Sequence, residues 1–328
     1  MSEPIQKIED VTPEKWDKVN PINRKMVEEY LDQSTTLSDQ TLKQYQSGLK
    51  IYYYWVFENL ENVPFYELKS RDFLRFQNWL IKLGQSSSAI KFKRSCVSTL
   101  NNWISLMYED KYPSFRNYIT RGIPMPTNEF KHEKNPPTLE EYYNLCKTLE
   151  ENEEWQHLAY LKFSFETGAR RNEVRQLLKE VVSYEPRIIE VDGIQKKIWA
   201  SHKIRGKGKG KIGKVRTLQF GEDAFLALKK WIEFRGEDDC PHVFVTRSNE
   251  KYIQVSESTF NRWNESFGKI VGRRCHPHIW REARATSMVV EQGKDINSVK
   301  KLLSHNSVQT SEIYVIRNDT DNADDAFI

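Results

Sequence analysis

The chain has 328 residues, 38% of them hydrophobic and 12% aromatic, with 9 Trp, 15 Tyr and 16 Phe. That length is typical of two domains, and this apolar and aromatic content excludes a disordered chain even though 29% of residues are charged. The net charge of +4 permits a polyanionic partner, and its placement favours one: nine Lys or Arg and no acid lie between Gly193 and Gly221, whereas four of the last ten residues are Asp. The four cysteines, Cys96, Cys146, Cys240 and Cys275, are widely spaced without a C-x-x-C pair. This is the usage of a reduced cytosolic protein rather than of disulfides or a zinc site. The start, MSEPIQKIED, is polar and acidic, unlike a signal peptide. No apolar run approaches the roughly 20 residues needed to span a bilayer, so a cytoplasmic location without membrane contact is expected.

Residues 1–34 are polar, carry Pro13 and Pro21, and read as an N-terminal extension with at most one short helix around 24–31. Helical periodicity begins with Leu42, Tyr45, Leu49 and Tyr52. Asp72 is expected to cap a second helix bearing Phe73, Phe76, Leu80 and Leu83, with Gly84 as its stop. Ser86–Ser88 precede a third, with Ile90, Val97, Leu100 and Ile104 inward and Lys91, Lys93 and Arg94 starting its outward side. A short fourth helix fits 113–118, because Pro is tolerated in a first turn. Residues 35–121 thus read as an all-helical bundle.

Residues 122–137 contain Pro124, Pro126, Pro136 and Pro137 and read as a linker. Thr138, with Glu141 three residues on, has the pattern of a capping box. From there the chain, 138–328, is mixed. A helix through Trp155, Leu158, Leu161 and Phe165 stops at Gly168, and another runs from Glu173 to Leu178. Short strands are expected at 187–191, 197–201 and 215–220, the last two flanking a basic loop. Then come a helix at 224–234, a short strand or turn at 243–246, and helices from about 255 onward. The fold class expected is mainly α with a small antiparallel β-sheet.

Four segments carry groups suited to chemistry. The first is Thr167-Gly168-Ala169-Arg170-Arg171-Asn172-Glu173, where a tight turn projects Arg170 from the start of a helix. The second is the loop 202–216, in which Lys203, Lys207, Lys209, Lys211 and Lys214 alternate with glycines that let an ammonium reach a phosphate. It lacks the order of a nucleotide-binding P-loop. The third is Pro277-His278-Ile279-Trp280-Arg281: if helical, His278 and Arg281 share a face. An imidazole beside a guanidinium suits a phosphate, which the Arg grips with a fork of hydrogen bonds. The fourth is Leu303-Ser304-His305, followed by Thr310 and Tyr314. Taken singly, each has an ordinary structural explanation: a surface Arg after a helix end, a solvated charge run, a surface His and Arg, a packed aromatic.

In one domain and one order they suit metal-free phosphoryl transfer to a protein nucleophile. A phosphodiester under attack gains negative charge, which two Arg neutralise where it develops. A Tyr with a pKa near 10 is a weak nucleophile and needs such a field, and a Lys can protonate the departing oxygen. No carboxylate cluster has metal-ligand spacing, so neither metal nor cofactor is expected.

This constellation resembles the tyrosine recombinases of the phage-integrase type, over about residues 36–317. The family's T-G-x-R-x-x-E pattern matches Thr167–Glu173, its H-x-x-R matches His278–Arg281, and its L-G-H motif with a Tyr nine residues on matches His305 and Tyr314, with Ser304 in place of Gly. The helical region is similar to the family's SAM-like core-binding domain. The resemblance implies that Arg170 and Arg281 clamp the scissile phosphate, His278 assists proton transfer, His305 hydrogen-bonds a phosphate oxygen, and Tyr314 attacks to give a 3′-phosphotyrosine. The family's K-x-x-K-x-R spacing, counted back from Arg216, selects Lys211 as the catalytic Lys. Counting forward from the preceding strand selects Lys203, with Lys207 and Lys209 between. The resemblance further implies double-stranded DNA recombination sites as partner, a C-shaped clamp around the duplex, and a homotetramer acting through a Holliday junction. Lys91, Lys93, Arg94 and the basic loop would make phosphate contacts, and accessory DNA-bending or directionality proteins would assist in a bacterial or archaeal cell. Integration or excision of a mobile element is the role expected. A Xer-like resolvase, a type IB topoisomerase-like enzyme and a non-catalytic DNA-binding relative are the alternatives.

Overall fold

Pro13 and Pro21 open helices instead of interrupting a loose extension. The structure, a computed structural model, describes residues 6–119, 122–127, 135–191, 193–206, 208 and 213–303. It divides into two units, Met1–Glu133 and Lys134–Ile328, each with its own core.

In the first unit, α1 (Pro13–Asp17) and α2 (Pro21–Gln33) each carry their proline in the first turn, where its missing N–H leaves no bond unmade, and the side chains of Thr12 and Asn20 cap them. Trp16, Val19, Met26, Val27 and Tyr30 are buried in the unit's core. The expectation of an extension with at most one short helix is therefore corrected: these few apolar residues are spaced to face inward once the two helices form. Next come α3 (Asp39–Asn59), α4 (Ser70–Lys82) and α5 (Ser87–Met107). Ser38 and Ser86 cap α3 and α5 through their hydroxyls. Asp72 does not sit at the cap of α4. It lies inside the first turn, and its carboxylate reaches back to the N–H of Lys69 at 2.9 Å, satisfying an otherwise unpaired donor from within the helix. Residues 113–118 form a turn and irregular chain, not a helix. Phe115 and Tyr118 are buried there, and side chains supply the bonds that helix turns would have made: Asn117 Nδ2 donates to Ser98 Oγ at 2.9 Å and Ser70 Oγ donates to the Tyr118 carbonyl at 2.6 Å.

The second unit starts with α6 (Leu139–Glu151), capped reciprocally by Thr138 and Glu141. The central helix α7 (Trp155–Thr167) is buried on most sides. After α8 (Arg171–Arg175), strands β1 (Arg187–Val191), β2 (Ile194–Ala200) and β5 (Gln219–Phe220) form an antiparallel sheet in the order β1-β2-β5. Between β2 and β5 the chain makes a separate hairpin of β3 (Ile204–Gly206) and β4 (Lys214–Arg216), with Ile204 opposite Arg216 and Gly206 opposite Lys214. The strand expected at 215–220 is thus broken into β4 and β5, while the one expected at 197–201 is found in β2 and is followed by the separate β3. The break comes where Ser201 and Leu218 turn inward, the Ser201 N–H donating to the Leu218 carbonyl at 2.9 Å.

Helix α9 (Glu222–Arg235) packs on α7. A hairpin of β6 (Val245–Ser248) and β7 (Lys251–Gln254), α10 (Glu257–Val271), α11 (Ile279–Thr286), a π-turn at Ser287–Glu291 and α12 (Ile296–Leu303) complete the described chain. The fold is mainly α with small antiparallel sheets. A buried chain of hydrogen bonds fixes α11 on the core: Trp280 Nε1 donates to Asn264 Oδ1 at 2.7 Å, and Asn264 Nδ2 donates to the Tyr160 hydroxyl at 2.9 Å. All four cysteines are buried free thiols. No described helix is long and apolar enough to cross a membrane.

Candidate active site

Helix α7 stops because Gly168 takes a left-handed conformation, φ +55°, that disfavours any residue with a Cβ. A Cβ there would lie 2.3 Å from Leu303 Cδ2, so the glycine also admits the end of α12 against the turn. Two residues on, Arg170 holds the N-cap position of α8. Its backbone N–H donates to Glu173 Oε2 at 2.8 Å and its Nη1 to Glu173 Oε1 at 3.3 Å. The Arg170 side chain remains 31% exposed, whereas Glu173 is buried.

Glu173 also receives Arg216, whose Nη2 donates to Oε2 at 2.7 Å. Burial opposes ionisation of this carboxylate, but the Arg216 hydrogen bond and charge, with help from Arg170, outweigh it and hold the pKa below its ordinary value. Gly206 of the same hairpin is close enough that a Cβ would sit 2.5 Å from Glu173 Oε1. The hairpin is thereby fastened to the start of α8, and Gln176 adds a bond from its Nε2 to the Arg205 carbonyl at 2.8 Å.

His278 stands at the N-cap position of α11, without a side-chain capping bond, rather than within the helix, and Arg281 occupies the helix's third position. Arg281 is only 1% exposed. Its Nη1 donates to the Gly168 carbonyl at 2.5 Å and its Nη2 to the Leu303 carbonyl. The guanidinium thus bridges the carbonyl at the end of α7 and that of Leu303, the last described residue of α12. The surface Arg that the third motif allows when taken singly is excluded, since this side chain is buried. His278 is exposed on one side. Packing of the rest of the ring, opposed by Glu282 and reinforced by Arg281, Arg170 and His276, lowers its pKa to about 4, so the imidazole is neutral at pH 7.

The structure therefore brings Arg281 to the Gly168 turn that Arg170 follows, and both guanidinium charges add to the lowering of the His278 pKa. Lys203 is exposed just before β3. Lys207, Lys209, Lys211, His305 and Tyr314 lie outside the described residues. In the first unit, Lys91, Lys93 and Arg94 are half-buried rather than fully outward. Burial lowers the Lys93 pKa, and Arg94 donates to Gln77 Oε1 at 3.3 Å while lying over the Phe73 ring. Among the described residues no group of His, Cys, Asp or Glu is placed to hold a metal ion.

Sequence reasoning used Arg216 only as a ruler for the lysine loop and missed its contacts. The one available signal was a guanidinium ending a tract of ammonium groups, the choice that suits a two-pronged bond.

The profile of the phage integrase family matches residues 138–321, and the chain belongs to that family: it is a tyrosine site-specific recombinase. It is 34% identical over 303 residues to the SPbeta prophage-derived recombinase-like protein YomM of Bacillus subtilis (strain 168), covering 91% of this chain and 88% of the relative. It is 26% identical over 275 residues to the tyrosine recombinase XerA of Pyrococcus furiosus, covering 82% and 83% of the two chains. Among solved structures, XerH recombinase bound to a palindromic difH substrate matches with TM-score 0.66 and 18% identity over 100% of this chain and 99% of that one. The Tn1549 transposon integrase in complex with transposon right-end DNA matches with TM-score 0.65 and 14% identity over 89% and 94%.

Proposed function

We propose that this recombinase integrates or excises a mobile element by cutting and rejoining double-stranded DNA through a covalent bond to Tyr314. The observation that carries the reading is the meeting of Arg170 and Arg281 at the Gly168 turn, a cationic site whose charges bear on a neutral imidazole at His278. The prophage-derived relative supports the mobile-element role, and the likeness to recombinases solved with DNA supports DNA as the partner.

In this mechanism the Tyr314 phenol oxygen attacks the scissile phosphorus and its proton leaves. A P–O bond to Tyr314 forms as the bond to the 5′ oxygen breaks, and that oxygen takes a proton from a Lys of the hairpin loop, Lys211 by spacing. Arg170, partly exposed, binds the phosphate first. Arg281 joins it once the Leu303 carbonyl gives up Nη2, because a guanidinium 1% exposed and bonded on both prongs meets no ligand as it stands. Neutral His278 accepts or relays the proton, and His305 donates to a phosphate oxygen. The broken bond's energy is kept in the phosphotyrosine, so rejoining needs no ATP. A homotetramer exchanges strands in pairs through a Holliday junction.

A nicked suicide duplex tests this. Wild-type protein accumulates a covalent protein–DNA adduct and Tyr314→Phe forms none. An adduct of undiminished yield in Tyr314→Phe removes Tyr314 from the mechanism.

A further inference from the structure

The last described turn of α12 is held by two arginines from different parts of the second unit. Arg281 of α11 donates to the Leu303 carbonyl. Arg216 of β4 donates through Nη1 to the Leu302 carbonyl at 3.0 Å. Both bonds are charge-assisted, a guanidinium N–H meeting a carbonyl oxygen, and so stronger than neutral ones. A pair of cations there gives that turn a defined seat.

Arg216 does more than hold one carbonyl. Its second prong, Nη2, donates to the buried Glu173 carboxylate at 2.7 Å, the group that also fixes the backbone and side chain of Arg170. The side chain is 11% exposed, and that of Glu173 is 2% exposed. One guanidinium therefore ties three things together: the strand leaving the lysine-rich loop, the anchor of a phosphate-binding Arg, and Leu302, twelve residues before Tyr314.

We propose that Arg216 is a positioning residue for strand cleavage: it couples the lysine hairpin and the Arg170 turn to the end of α12, and so sets the register between the cationic site and the segment bearing the nucleophile. The proposal rests on the recombinase reading above. Its chemistry calls for guanidinium, because two bonds in different directions must come from one rigid planar head. An ammonium at the end of a flexible stem satisfies Glu173 or the Leu302 carbonyl but does not hold both in fixed geometry. Arg281 does not substitute for it, since its own contact with Leu303 must open when a phosphate arrives. Arg216 then remains as the tether of α12 while the site is loaded.

The test compares full-length wild type, Arg216→Lys and Arg216→Gln on a nicked suicide duplex. It follows adduct formation, duplex affinity by fluorescence anisotropy, and amide hydrogen exchange across the chain. The expected result is adduct formation slowed roughly 100-fold in Arg216→Gln, the scale on which misplaced reacting groups lose rate. Arg216→Lys should fall in between, with duplex affinity within about twofold of wild type for both. Exchange should rise in 296–303 and not in α3, α7 or α10. Adduct formation at the wild-type rate in Arg216→Gln overturns the proposal. So does a loss that tracks weakened duplex binding or exchange raised throughout the second unit, since either marks a general structural role. If wild type itself forms no adduct, the recombinase reading fails and the proposal falls with it.

Discussion

Glu173 and Arg216 meet at 2.7 Å with side chains 2% and 11% exposed. A carboxylate so deeply placed is kept ionised only by its partners, and removing either partner leaves the other charge buried and uncompensated.

Glu173→Ala is therefore expected to destabilise the second unit by about 3–5 kcal/mol, the range found when one member of a buried pair is deleted. Chemical denaturation monitored by Trp fluorescence measures this. The pH dependence has a definite sign. The folded-state pKa of Glu173 lies below the ordinary value of 4.5, so between those two values the unfolded chain binds more protons than the folded one. The stabilising contribution is fully present above pH 4.5 and is lost as pH falls through the folded value. The stability gap between wild type and Glu173→Gln should therefore narrow as pH drops below 4.5 and through the folded-state value. A gap that widens on acidification contradicts an ionised Glu173.

Much of this arrangement was legible before any coordinates. Thr138 with Glu141, and Gly168 after an apolar helical run, are local signals: a cap and a left-handed turn depend on the residues beside them and little else. The order of Arg170, His278 and Arg281 within one domain, and the family resemblance of their motifs, led to the expectation of one site, and the structure joins Arg281 to the turn that Arg170 follows. What was not legible depends on distant partners. Residues 13–33 are too polar on average to announce a core, yet Trp16, Met26, Val27 and Tyr30 reach one that α3 helps to form. Asp72 looked like a cap because Asp often is one, but the chain entered the helix three residues earlier and used the same carboxylate from inside. The burial of Arg281 and the double role of Arg216 follow from where α12 returns to α7, a long-range contact with no trace in local composition.

His278 tests the electrostatics of the site without DNA. Its pKa, lowered to about 4 mainly by packing of the ring, makes it neutral across pH 6–8, whereas an unperturbed histidine titrates near 6.5. In a protein with isotopically labelled histidines, the resonance assigned by loss in His278→Gln should show no protonation step between pH 8 and pH 6. A step centred near 6.5 contradicts the desolvation of the ring. In the cleavage reaction, His278→Gln should lower the rate of adduct formation by about 100-fold to 10,000-fold, the usual contribution of a positioned acid–base group. Duplex affinity should be little changed.

Duplex binding itself should be governed by counterion release, because Lys and Arg side chains neutralise phosphates regardless of sequence. With about six phosphate contacts, raising salt from about 50 to about 200 mM weakens affinity roughly 1,000-fold. In the first unit, Lys91, Lys93 and Arg94 should divide into two kinds. Lys91→Ala and Lys93→Ala should each reduce the slope of log affinity against log salt by about 1, as loss of one phosphate contact requires. Arg94 is built into its surroundings through Gln77 and the Phe73 ring, so Arg94→Ala should also lower the thermal stability of the first unit, by packing lost as well as charge. Lys93 provides the sharper contrast, because burial already lowers its pKa and makes its charged form costlier to keep without an anion. A nearby phosphate should relieve that cost, so Lys93→Ala should lose more affinity than Lys91→Ala at low salt. Anisotropy titrations of the three variants across a salt series decide the matter, and equal salt slopes in all of them and in wild type would take this face of α5 out of the DNA interface.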